Sequence, residues 1–536
     1  MGKPPLDIVT LRELHEAGQF DQAKEGYLAI LRKNPRNAEI LHSLGILCAQ
    51  QDNFPEAIQH LQKALQFQPD NLILHLHLAN MQKIQGLHDQ AAQTLHAALI
   101  IDPHYVAALN NLGTVYYAQG KFSDAIDTYQ RALADQPDHI DAYYNLGLAL
   151  NKQNRIDAAI TTYDKLLSLA SDHFAARFHL ACLLMQQEEW AAAEKHFLTI
   201  ESTHPYHLET QTNLATCYLK LGSLKQAKLH YGNALELAPE DAQILFNLGV
   251  VNMQLGQIDN AIQYYQRVIR INPDLFEAHN NLGVAFLAKE HAAFALHHFQ
   301  EAFRLEPKNS VIRYTVHRLS KNQRLLAAPP EYITALFDAY ADHYEPHLLT
   351  ALDYQVPTQL QEALLSITQP TLNTWDILDL GCGTGLCGAL LKPYARSLIG
   401  VDLSEKMLSI AEQKKSYDQL IQSDILTFLP NQQAAYDLIV AGDALVYLSD
   451  LDPLFQLVAQ ALRRDGYFAF NTEISQEKDY QMNQSGRFSH QKNYLEALAT
   501  THHLRIAYYQ PVITRMQNNE PVHGHLYIMQ RLENLS

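Results

Sequence analysis

A repeat of 34 residues runs through the first part of this 536-residue chain and constrains how it can fold. Nine units follow one another from Pro4 to Asn309 without insertion or deletion. A proline closes every unit except the fifth, which has Ser171 in its place. An alanine anchors each unit, at Ala23, Ala57, Ala91, Ala125, Ala159, Ala193, Ala227, Ala261 and Ala295. A fixed period of this length is typical of a solenoid, so we expect a stack of helical hairpins.

Each unit contains two helical patterns that meet through small residues. In the fourth unit, Leu112 and Gly113 lie on one helix face, and Ala125 and Tyr129 lie on the face of the next helix. This spacing resembles the tetratricopeptide repeat, and the resemblance covers all nine units. It implies a right-handed superhelix whose first helices line the concave face. The segment from Ser310 to Ser320 is expected to be a helix that closes the array.

An asparagine stands at one position of the predicted concave face in five units. These residues are Asn111, Asn145, Asn213, Asn247 and Asn281. Because an amide both donates and accepts hydrogen bonds, a row of amides can pair with the backbone of an extended peptide. The row is similar to the asparagine ladder of the O-linked N-acetylglucosamine transferase solenoid, which implies a peptide-binding groove. The alternative is that asparagine is simply common at this position of the repeat. His77 and His179 interrupt the row in the third and sixth units.

Composition narrows the expected partners and the compartment. A net charge of −17 argues against nucleic acid as the main partner, because phosphate binding needs a concentrated basic face. The five cysteines show no metal-ligand spacing, so we expect no metal site and a reducing compartment. No apolar stretch reaches membrane-spanning length, and the amino-terminal residues would make a poor secretion signal. We therefore expect a cytoplasmic protein, while self-association stays open.

Beyond Pro329 the 34-residue period is lost, and strand patterns alternate with helical ones. The predicted strands include Ile377–Leu380, Leu398–Val401, Asp437–Ala441, Tyr467–Asn471, Ile506–Gln510 and Leu526–Met529. Apolar strands that alternate with helices predict a parallel sheet covered on both faces, with ligands bound beyond the carboxyl ends of the strands. We assign residues 4–309 to the repeats, 310–329 to a capping helix and linker, and 330–536 to one α/β domain.

A glycine-rich turn, Gly381–Gly385, follows the first predicted strand of this domain. Asp402 comes 21 residues after Gly381, at the end of the second strand, where a carboxylate can accept hydrogen bonds from both hydroxyls of a ribose. A G-x-G-x-x-G spacing that ends at Gly388 also satisfies the dinucleotide fingerprint. However, Asp379 lies just ahead of the first glycine, where an acid would repel a pyrophosphate but suits the positively charged end of S-adenosylmethionine. We therefore favour S-adenosylmethionine over a nicotinamide cofactor.

The segment Asp379–Gly385 resembles the signature of class I methyltransferases. Phe337–Ala341, Gly400–Ser404 with Met407, and Tyr436–Val440 fit the same family. The chain as a whole is similar to the bacterial family of predicted methyltransferases with tetratricopeptide repeats. The resemblance implies an α-solenoid followed by an α/β Rossmann-like domain that uses S-adenosyl-L-methionine, and it leaves the substrate undefined.

The resemblance also implies roles on the cofactor side of the site. Asp379 and the glycine turn would surround the methionine part, Asp402 the ribose, and Asp424 would receive the adenine amino group. The cofactor-binding residues are expected to be Tyr340, Tyr344, Asp379, Gly381, Cys382, Gly383, Gly385, Asp402, Leu403, Met407, Asp424, Ile425, Ala441 and Gly442.

The acceptor side offers several candidates but no unique base. Methyl transfer is an in-line displacement in which alignment does much of the work, although some acceptors need a base with a pKa near the working pH. The catalytic candidates are His490, Glu473, Asp443 and Tyr447, with Arg487 and Tyr494 nearby in sequence. We expect His490 to be the base, with Glu473 next, and Ser475–Ser489 to be a mobile active-site loop. The alternative is that these residues only shape the pocket.

Three functions fit the sequence. The first is a methyltransferase whose repeats recruit a protein or peptide substrate. The second is a small-molecule methyltransferase that uses the repeats for assembly. The third is a non-catalytic scaffold, which the intact glycine turn disfavours. A glycosyltransferase is disfavoured too, because the part of the chain beyond the repeats is too short for two nucleotide-binding lobes.

Overall fold

The computed structural model describes residues 7–320, 327–346, 348–349, 352–476, 478–483, 485–517 and 520–532. It divides into two compact units, Met1–Gln257 and Ile258–Ser536. Residues 4–6 of the first predicted repeat and 321–326 of the predicted linker lie outside the described residues. Among the described helices, none combines the length and the hydropathy that crossing a membrane requires.

The first unit consists of paired helices joined by short turns. They are α1 (Ile8–Glu16), α2 (Phe20–Lys33), α3 (Ala38–Gln50), α4 (Phe54–Phe67), α5 (Leu72–Ile84), α6 (His88–Ile101), α7 (Val106–Ala118), α8 (Phe122–Asp135), α9 (Ile140–Lys152), α10 (Ile156–Leu169), α11 (Phe174–Gln186), α12 (Trp190–Thr203), α13 (Leu208–Lys220), α14 (Leu224–Leu237) and α15 (Ala242–Gln254). The second unit begins with α16 (Ile258–Ile271), α17 (Phe276–Ala288), α18 (Ala292–Leu305) and α19 (Ser310–Leu319). The predicted helical solenoid is confirmed.

The helix pairs pack because a small residue on one helix meets an aromatic side chain on the next. A Cβ added at Gly113 of α7 would lie 2.4 Å from the ring of Tyr129 on α8, and one added at Gly147 of α9 would lie 2.6 Å from Tyr163 on α10. Both tyrosines are buried. The turn between α7 and α8 contains Gly120 with φ of +74°, a left-handed conformation that glycine adopts without strain.

The rest of the second unit is an α/β domain. Its strands are β1 (Trp375–Leu380), β2 (Ala395–Asp402), β3 (Gln419–Gln422), β4 (Tyr436–Ala441), β5 (Leu462–Ile474), β6 (Tyr480–Met482), β7 (Phe488–His490), β8 (Leu504–Gln517) and β9 (Glu520–Arg531). Its helices are α20 (Pro330–Pro346), α21 (Val356–Ile367), α22 (Leu386–Leu391), α23 (Glu405–Gln413), α24 (Ile425–Phe428), α25 (Asp452–Ala461) and α26 (Lys492–Thr501).

The strands form a sheet in the order β3-β2-β1-β4-β5-β7-β6, with β9 also paired to β5 and β8 paired to β9. The pairs from β3 to β5 are parallel, as expected for apolar strands that alternate with helices. Neighbouring residues of β1 point to opposite faces, since Ile377 and Leu378 belong to separate buried clusters. The carboxyl ends of β1, β2 and β4 therefore meet at one edge of a sheet that is buried on both faces.

Two features differ from the expectation. The sheet is not wholly parallel, because β9 runs antiparallel to both β5 and β8. Strands joined by a connection as short as the one between β8 and β9 can pair only in the antiparallel direction. The segment Ser475–Ser489, predicted to be a loop, contains β6 and most of β7, and Phe488 is buried. Residues 477 and 484 of that segment lie outside the described residues.

Candidate functional site

A cleft lies at the carboxyl ends of β1, β2 and β4, and α20 forms one of its walls. The empty space within it, including the part that opens to solvent, is about 690 Å³. It is lined by Ile333, Phe337, Tyr344, Gly381, Gly383, Asp402, Leu403, Met407, Ser423, Asp424, Ile425, Gly442, Asp443, Ala444, Tyr447 and Leu448. This position matches the expectation for ligands of parallel sheets.

In the glycine turn, backbone that carries no side chain lines the cleft. Gly381 and Gly383 adopt φ of +67° and +52°, which a residue with a side chain adopts only with strain. A Cβ added at Gly381 would lie 2.6 Å from Cβ of Ala444. A Cβ added at Gly383 would meet nothing within 4 Å, so the space next to this backbone is open to a ligand.

Asp402 ends β2 and connects the glycine turn to the next helix. One carboxylate oxygen accepts a 2.8 Å hydrogen bond from the backbone N–H of Gly383, and the other accepts a 2.9 Å bond from that of Ser404. Burial raises the pKa of Asp402, and these backbone donors oppose the shift because they favour the ionised form. The side chain thus holds the turn in shape while it lines the cleft.

Asp379 is fully buried in a smaller pocket, which shares Tyr344, Gly381, Gly383 and Gly442 with the main cleft. Its carboxylate accepts a 2.7 Å hydrogen bond from the hydroxyl of Tyr417. Burial raises the pKa of Asp379 to about 7, although the hydrogen bond from Tyr417 counteracts the shift. Sequence reasoning missed Tyr417, because nothing in the local pattern ahead of β3 distinguishes it from a packing aromatic.

Another side of the cleft contains Asp424 at the start of α24. One of its carboxylate oxygens caps this helix, accepting 2.9 and 3.1 Å hydrogen bonds from the backbone N–H groups of Leu426 and Thr427. The residue also lines the cleft, together with Leu403 and Met407. An acid and two apolar side chains are therefore available to one bound group.

The structure brings most of the predicted residues together, but not all. The predicted residues that line the main cleft are Tyr344, Gly381, Gly383, Asp402, Leu403, Met407, Asp424, Ile425, Gly442, Asp443 and Tyr447. Asp379 and Cys382 line the smaller pocket.

Three predicted cofactor residues line neither pocket. Gly385 serves packing, since a Cβ there would lie 2.9 Å from the ring of Tyr417. Tyr340 packs edge-on against Tyr344, with ring centroids 5.6 Å apart. Ala441 is fully buried in the sheet.

A largely buried ion cluster borders the cleft. Arg487 contacts Asp443 at 2.5 Å and Glu473 at 2.8 Å, and Arg515 contacts Glu473 at 2.8 Å. Burial would raise the pKa of Asp443, but the charges of Arg487 and Arg515 outweigh it and hold that pKa below its usual value. The backbone of Asp443 has φ of +61°, and its N–H donates a 2.7 Å hydrogen bond to the side chain of Asn471. Asp443 is therefore held ionised in a constrained geometry.

The geometry argues against the expected bases His490 and Glu473, neither of which lines the main cleft. His490 is fully buried, and its Nε2 lies 3.0 Å from the carbonyl oxygen of Ser449. Burial lowers the pKa of His490 to about 4, so the ring is a weak base. The physical reason is strand pairing: β7 joins β5 and turns this ring into the core. Glu473 is occupied by its two arginine partners.

The predicted peptide-binding asparagines occupy equivalent positions on α7, α9, α13, α15 and α17, and all are half-buried. Some of their amides have partners in the chain. Asn145 donates a 3.1 Å hydrogen bond to Asn110, and Asn281 donates a 3.4 Å bond to the hydroxyl of Tyr265. Peptide binding by this row stays a prediction.

Comparison with known proteins agrees with both parts of the chain. The methyltransferase-domain family matches residues 378–470. Tetratricopeptide-repeat families match residues 12–72, 78–140, 110–173 and 144–207, and residues 217–256 and 251–289.

Two curated relatives carry methyltransferase names. The probable S-adenosylmethionine-dependent methyltransferase CRG1 of Saccharomyces cerevisiae is 34% identical over 103 residues, which are 18% of this chain and 34% of that protein. The uncharacterized methyltransferase C1347.09 of Schizosaccharomyces pombe is 32% identical over 80 residues, 13% of this chain and 28% of that protein. The chain thus spans about a third of the length of these relatives.

Among solved structures, the C-terminal part of a repeat-containing protein from Cytophaga hutchinsonii is 15% identical with a TM-score of 0.40, and the match covers 45% of this chain and 99% of that one. The sheet domain with its cleft and the helical pairs each have a family match. The chain therefore combines an amino-terminal array of tetratricopeptide repeats with a carboxyl-terminal methyltransferase domain.

Proposed function

We propose that this chain is an S-adenosyl-L-methionine-dependent methyltransferase whose repeats recruit a protein or peptide substrate. The observation that carries the proposal is Asp402, a half-buried carboxylate at the end of β2 that borders the open face of the glycine turn. A carboxylate at this position is suited to the two hydroxyls of a ribose. The methyltransferase relatives make S-adenosylmethionine the cofactor to test first.

The residues of the cleft fit this cofactor along its length. Asp402 would hold the ribose, and Leu403 and Met407 would flank the adenine, whose amino group Asp424 would receive. The backbone at Gly383 is open to close approach, which a bulky ligand at this turn requires. Asp379 is suited to the positively charged amino-acid end, because the smaller pocket offers no other acid among its lining residues.

S-adenosylmethionine, when bound, supplies an activated methyl group, so the protein's main task is alignment. Asp443 and Tyr447 line the acceptor side of the cleft together with Phe337. Because the arginines hold Asp443 ionised at a low pKa, this carboxylate is a poor proton acceptor near neutral pH. Asp443 would therefore orient the acceptor or stabilise positive charge, and it would not remove a proton.

A small-molecule acceptor is the second candidate. It is favoured by the aromatic wall of the cleft, where the ring of Phe337 packs edge-on against Tyr447 at 5.6 Å and against Tyr344 at 5.8 Å. A peptide acceptor is favoured by the half-buried asparagines of the repeats. The two candidates share the cofactor site and differ only in what reaches it.

The cofactor site is tested by calorimetric titration of the full chain with S-adenosylhomocysteine. We expect micromolar binding that Asp402→Ala abolishes, because the ribose loses its acceptor and the glycine turn loses its support. Glu412→Ala, which removes an exposed acid on α23, is the matched control and should bind like the original chain. No binding by the folded original chain would refute the enzyme proposal.

The acceptor is tested by incubating the chain and labelled S-adenosylmethionine with a cell extract. Label in macromolecules that an Asn213→Ala, Asn247→Ala variant fails to produce would support recruitment by the repeats. Label that appears only in the small-molecule fraction would favour the second candidate. If the chain binds the cofactor but transfers label neither to macromolecules nor to small molecules, the non-catalytic scaffold is the alternative that remains.

A further inference from the structure

Helix α19 contacts both the last helix pair and the α/β domain. On one side, Ile312 packs in a buried cluster with Ala295 and Phe299 of α18. On the other side, the fully buried Tyr314 donates a 2.7 Å hydrogen bond from its hydroxyl to the carbonyl oxygen of Gly486. A single helix of ten residues therefore connects the end of the repeats to the turn between β6 and β7.

The turn is shaped to receive this helix. Gly486 has φ of +82°, and a Cβ added there would lie 3.0 Å from Cδ of Arg318 and 3.5 Å from the hydroxyl oxygen of Tyr314. Arg318 also donates a 2.9 Å hydrogen bond to the hydroxyl of Tyr332 on α20, the helix that forms a wall of the cleft. Helix α19 thus contacts two elements next to the cleft.

The residue after Gly486 belongs to the ion cluster at the acceptor side. Arg487 contacts Asp443 at 2.5 Å, and its guanidinium lies 5.5 Å from the ring centre of Tyr447. Both partners line the cleft. The Tyr314 side chain of α19 is therefore hydrogen-bonded to the residue that precedes Arg487. Arg487 in turn contacts two residues that line the cleft.

Backbone pairing supplies only part of the attachment of this turn to the sheet. Among the residues that the structure describes, strand β7 pairs with β5 at Glu473 with Ser489 and at Ile474 with His490. Within the turn, the N–H of Asn483 donates to the carbonyl of Arg487 at 2.7 Å. Side chains of the turn also contact β5, since Asn483 donates a 2.7 Å hydrogen bond to Glu473 and Arg487 pairs with the same carboxylate. The hydrogen bond from Tyr314 adds a contact from outside the sheet.

We propose that Tyr314 is a positioning residue: by holding Gly486 it keeps Arg487 against Asp443, so that the helix capping the repeats helps to shape the cofactor cleft. The proposal rests on the proposed function only for the choice of ligand. Because coupling between two sites is reciprocal, a partner that shifts α19 would change cofactor affinity, and the cofactor would change the affinity for that partner.

The first test compares Tyr314→Phe with the original chain by calorimetric titration with S-adenosylhomocysteine. We expect binding to weaken roughly two- to tenfold, the range for the loss of one hydrogen bond. The matched control is Tyr231→Phe, which removes a buried hydroxyl 2.8 Å from Thr216 in the first unit. It should lower the melting temperature to a similar extent without changing affinity. Equal affinity for Tyr314→Phe and the original chain would overturn the proposal.

The second test is a double-mutant cycle with Arg487→Lys, which keeps the charge but loses the fork geometry. If Tyr314 acts through Arg487, Tyr314→Phe should weaken binding less in the Arg487→Lys background than in the original chain. Additive losses would show that Tyr314 acts by another route.

A third measurement, hydrogen exchange of backbone amides, requires neither a ligand nor the Arg487→Lys variant. Backbone amides of residues 486–488 should exchange hydrogen faster in Tyr314→Phe than in Tyr231→Phe, and unchanged exchange would overturn the proposal. A chain that binds no S-adenosylhomocysteine but loosens this turn in Tyr314→Phe would refute the proposed function while supporting the link from α19 to the turn.

Discussion

Two carboxyl groups, those of the buried Asp379 and the half-buried Asp402, lie at the carboxyl ends of the neighbouring strands β1 and β2 and are stabilised in different ways. Asp402 accepts hydrogen bonds from two backbone N–H groups, which favour its ionised form against the effect of burial. Asp379 has a single hydrogen bond, from Tyr417, and burial raises its pKa to about 7. The charge of Asp379 therefore depends on pH near neutrality.

This difference predicts a pH-dependent affinity. If Asp379 pairs with the ammonium group of the ligand, only its ionised form binds well, so the affinity for S-adenosylhomocysteine should fall as the pH drops through about 7. A single proton with this pKa weakens binding about tenfold between pH 8 and pH 6. Titrations at the two pH values measure the effect.

Asp379→Asn is the control, and it should bind weakly with little difference between the two pH values. A tenfold effect that persists in this variant would assign the titration to another group. In the ligand-free protein, the effect of Asp379 on folding stability has the opposite dependence on pH. The raised pKa favours folding below the ordinary value of 3.8, and this contribution is lost as the pH rises through about 7.

At the scale of elements, the helix pairs depend on close contact between a glycine and an aromatic ring. Gly113, Gly147 and Gly283 each lie where an added Cβ would come within 2.7 Å of a ring atom on the following helix. Gly232 on α14 is different, because an added Cβ there would meet no atom within 4 Å. The same substitution should therefore have opposite effects at two helical glycines.

We expect Gly113→Ala to destabilise the array by about 1–3 kcal/mol, because the methyl group would overlap the ring of Tyr129. Gly232→Ala should stabilise it by up to about 1 kcal/mol, since alanine is the better helix former. Urea unfolding followed by far-ultraviolet circular dichroism measures both. Equal unfolding midpoints for the two variants would contradict the explanation that the helix pairs depend on contact between a glycine and an aromatic ring.

At the scale of the whole molecule, a net charge of −17 opposes binding to polyanions. We predict no binding to a labelled single-stranded RNA or duplex DNA at about 10 µM protein and physiological salt, where non-specific binders have dissociation constants of roughly 10⁻⁴ to 10⁻⁶ M. Fluorescence anisotropy at two salt concentrations checks this. Micromolar binding with a steep salt dependence would reveal a basic surface that the total charge conceals.

Much of the architecture was predictable because it follows from the spacing of residue types along the chain. The helical array follows from a period that repeats small and large residues at matching positions of the units. The cleft edge follows from apolar strands that lead into glycine or aspartate. Asp402 and Gly383 were identified this way and lie in the cleft. Such patterns survive in the sequence because they reflect contacts within one element or between adjacent ones.

The expectations that the structure changed concern residues whose surroundings come from distant parts of the chain. Nothing in the spacing around His490 indicates that β7 turns its ring into the core, or that Glu473 meets Arg515. The hydroxyl of Tyr417 on Asp379 and that of Tyr314 on Gly486 likewise join residues far apart in sequence. These contacts depend on sheet order and strand register.

The sequence by itself determined the solenoid, the α/β domain and the edge of the sheet where a ligand can bind, because periodicity and glycine placement act over short distances. Only the tertiary structure decided which titratable groups face the cleft, which are neutralised by buried partners, and which helix supports the turn that carries Arg487. The physical reason is that burial and charge pairing depend on every element packed around a side chain, and no local pattern records them.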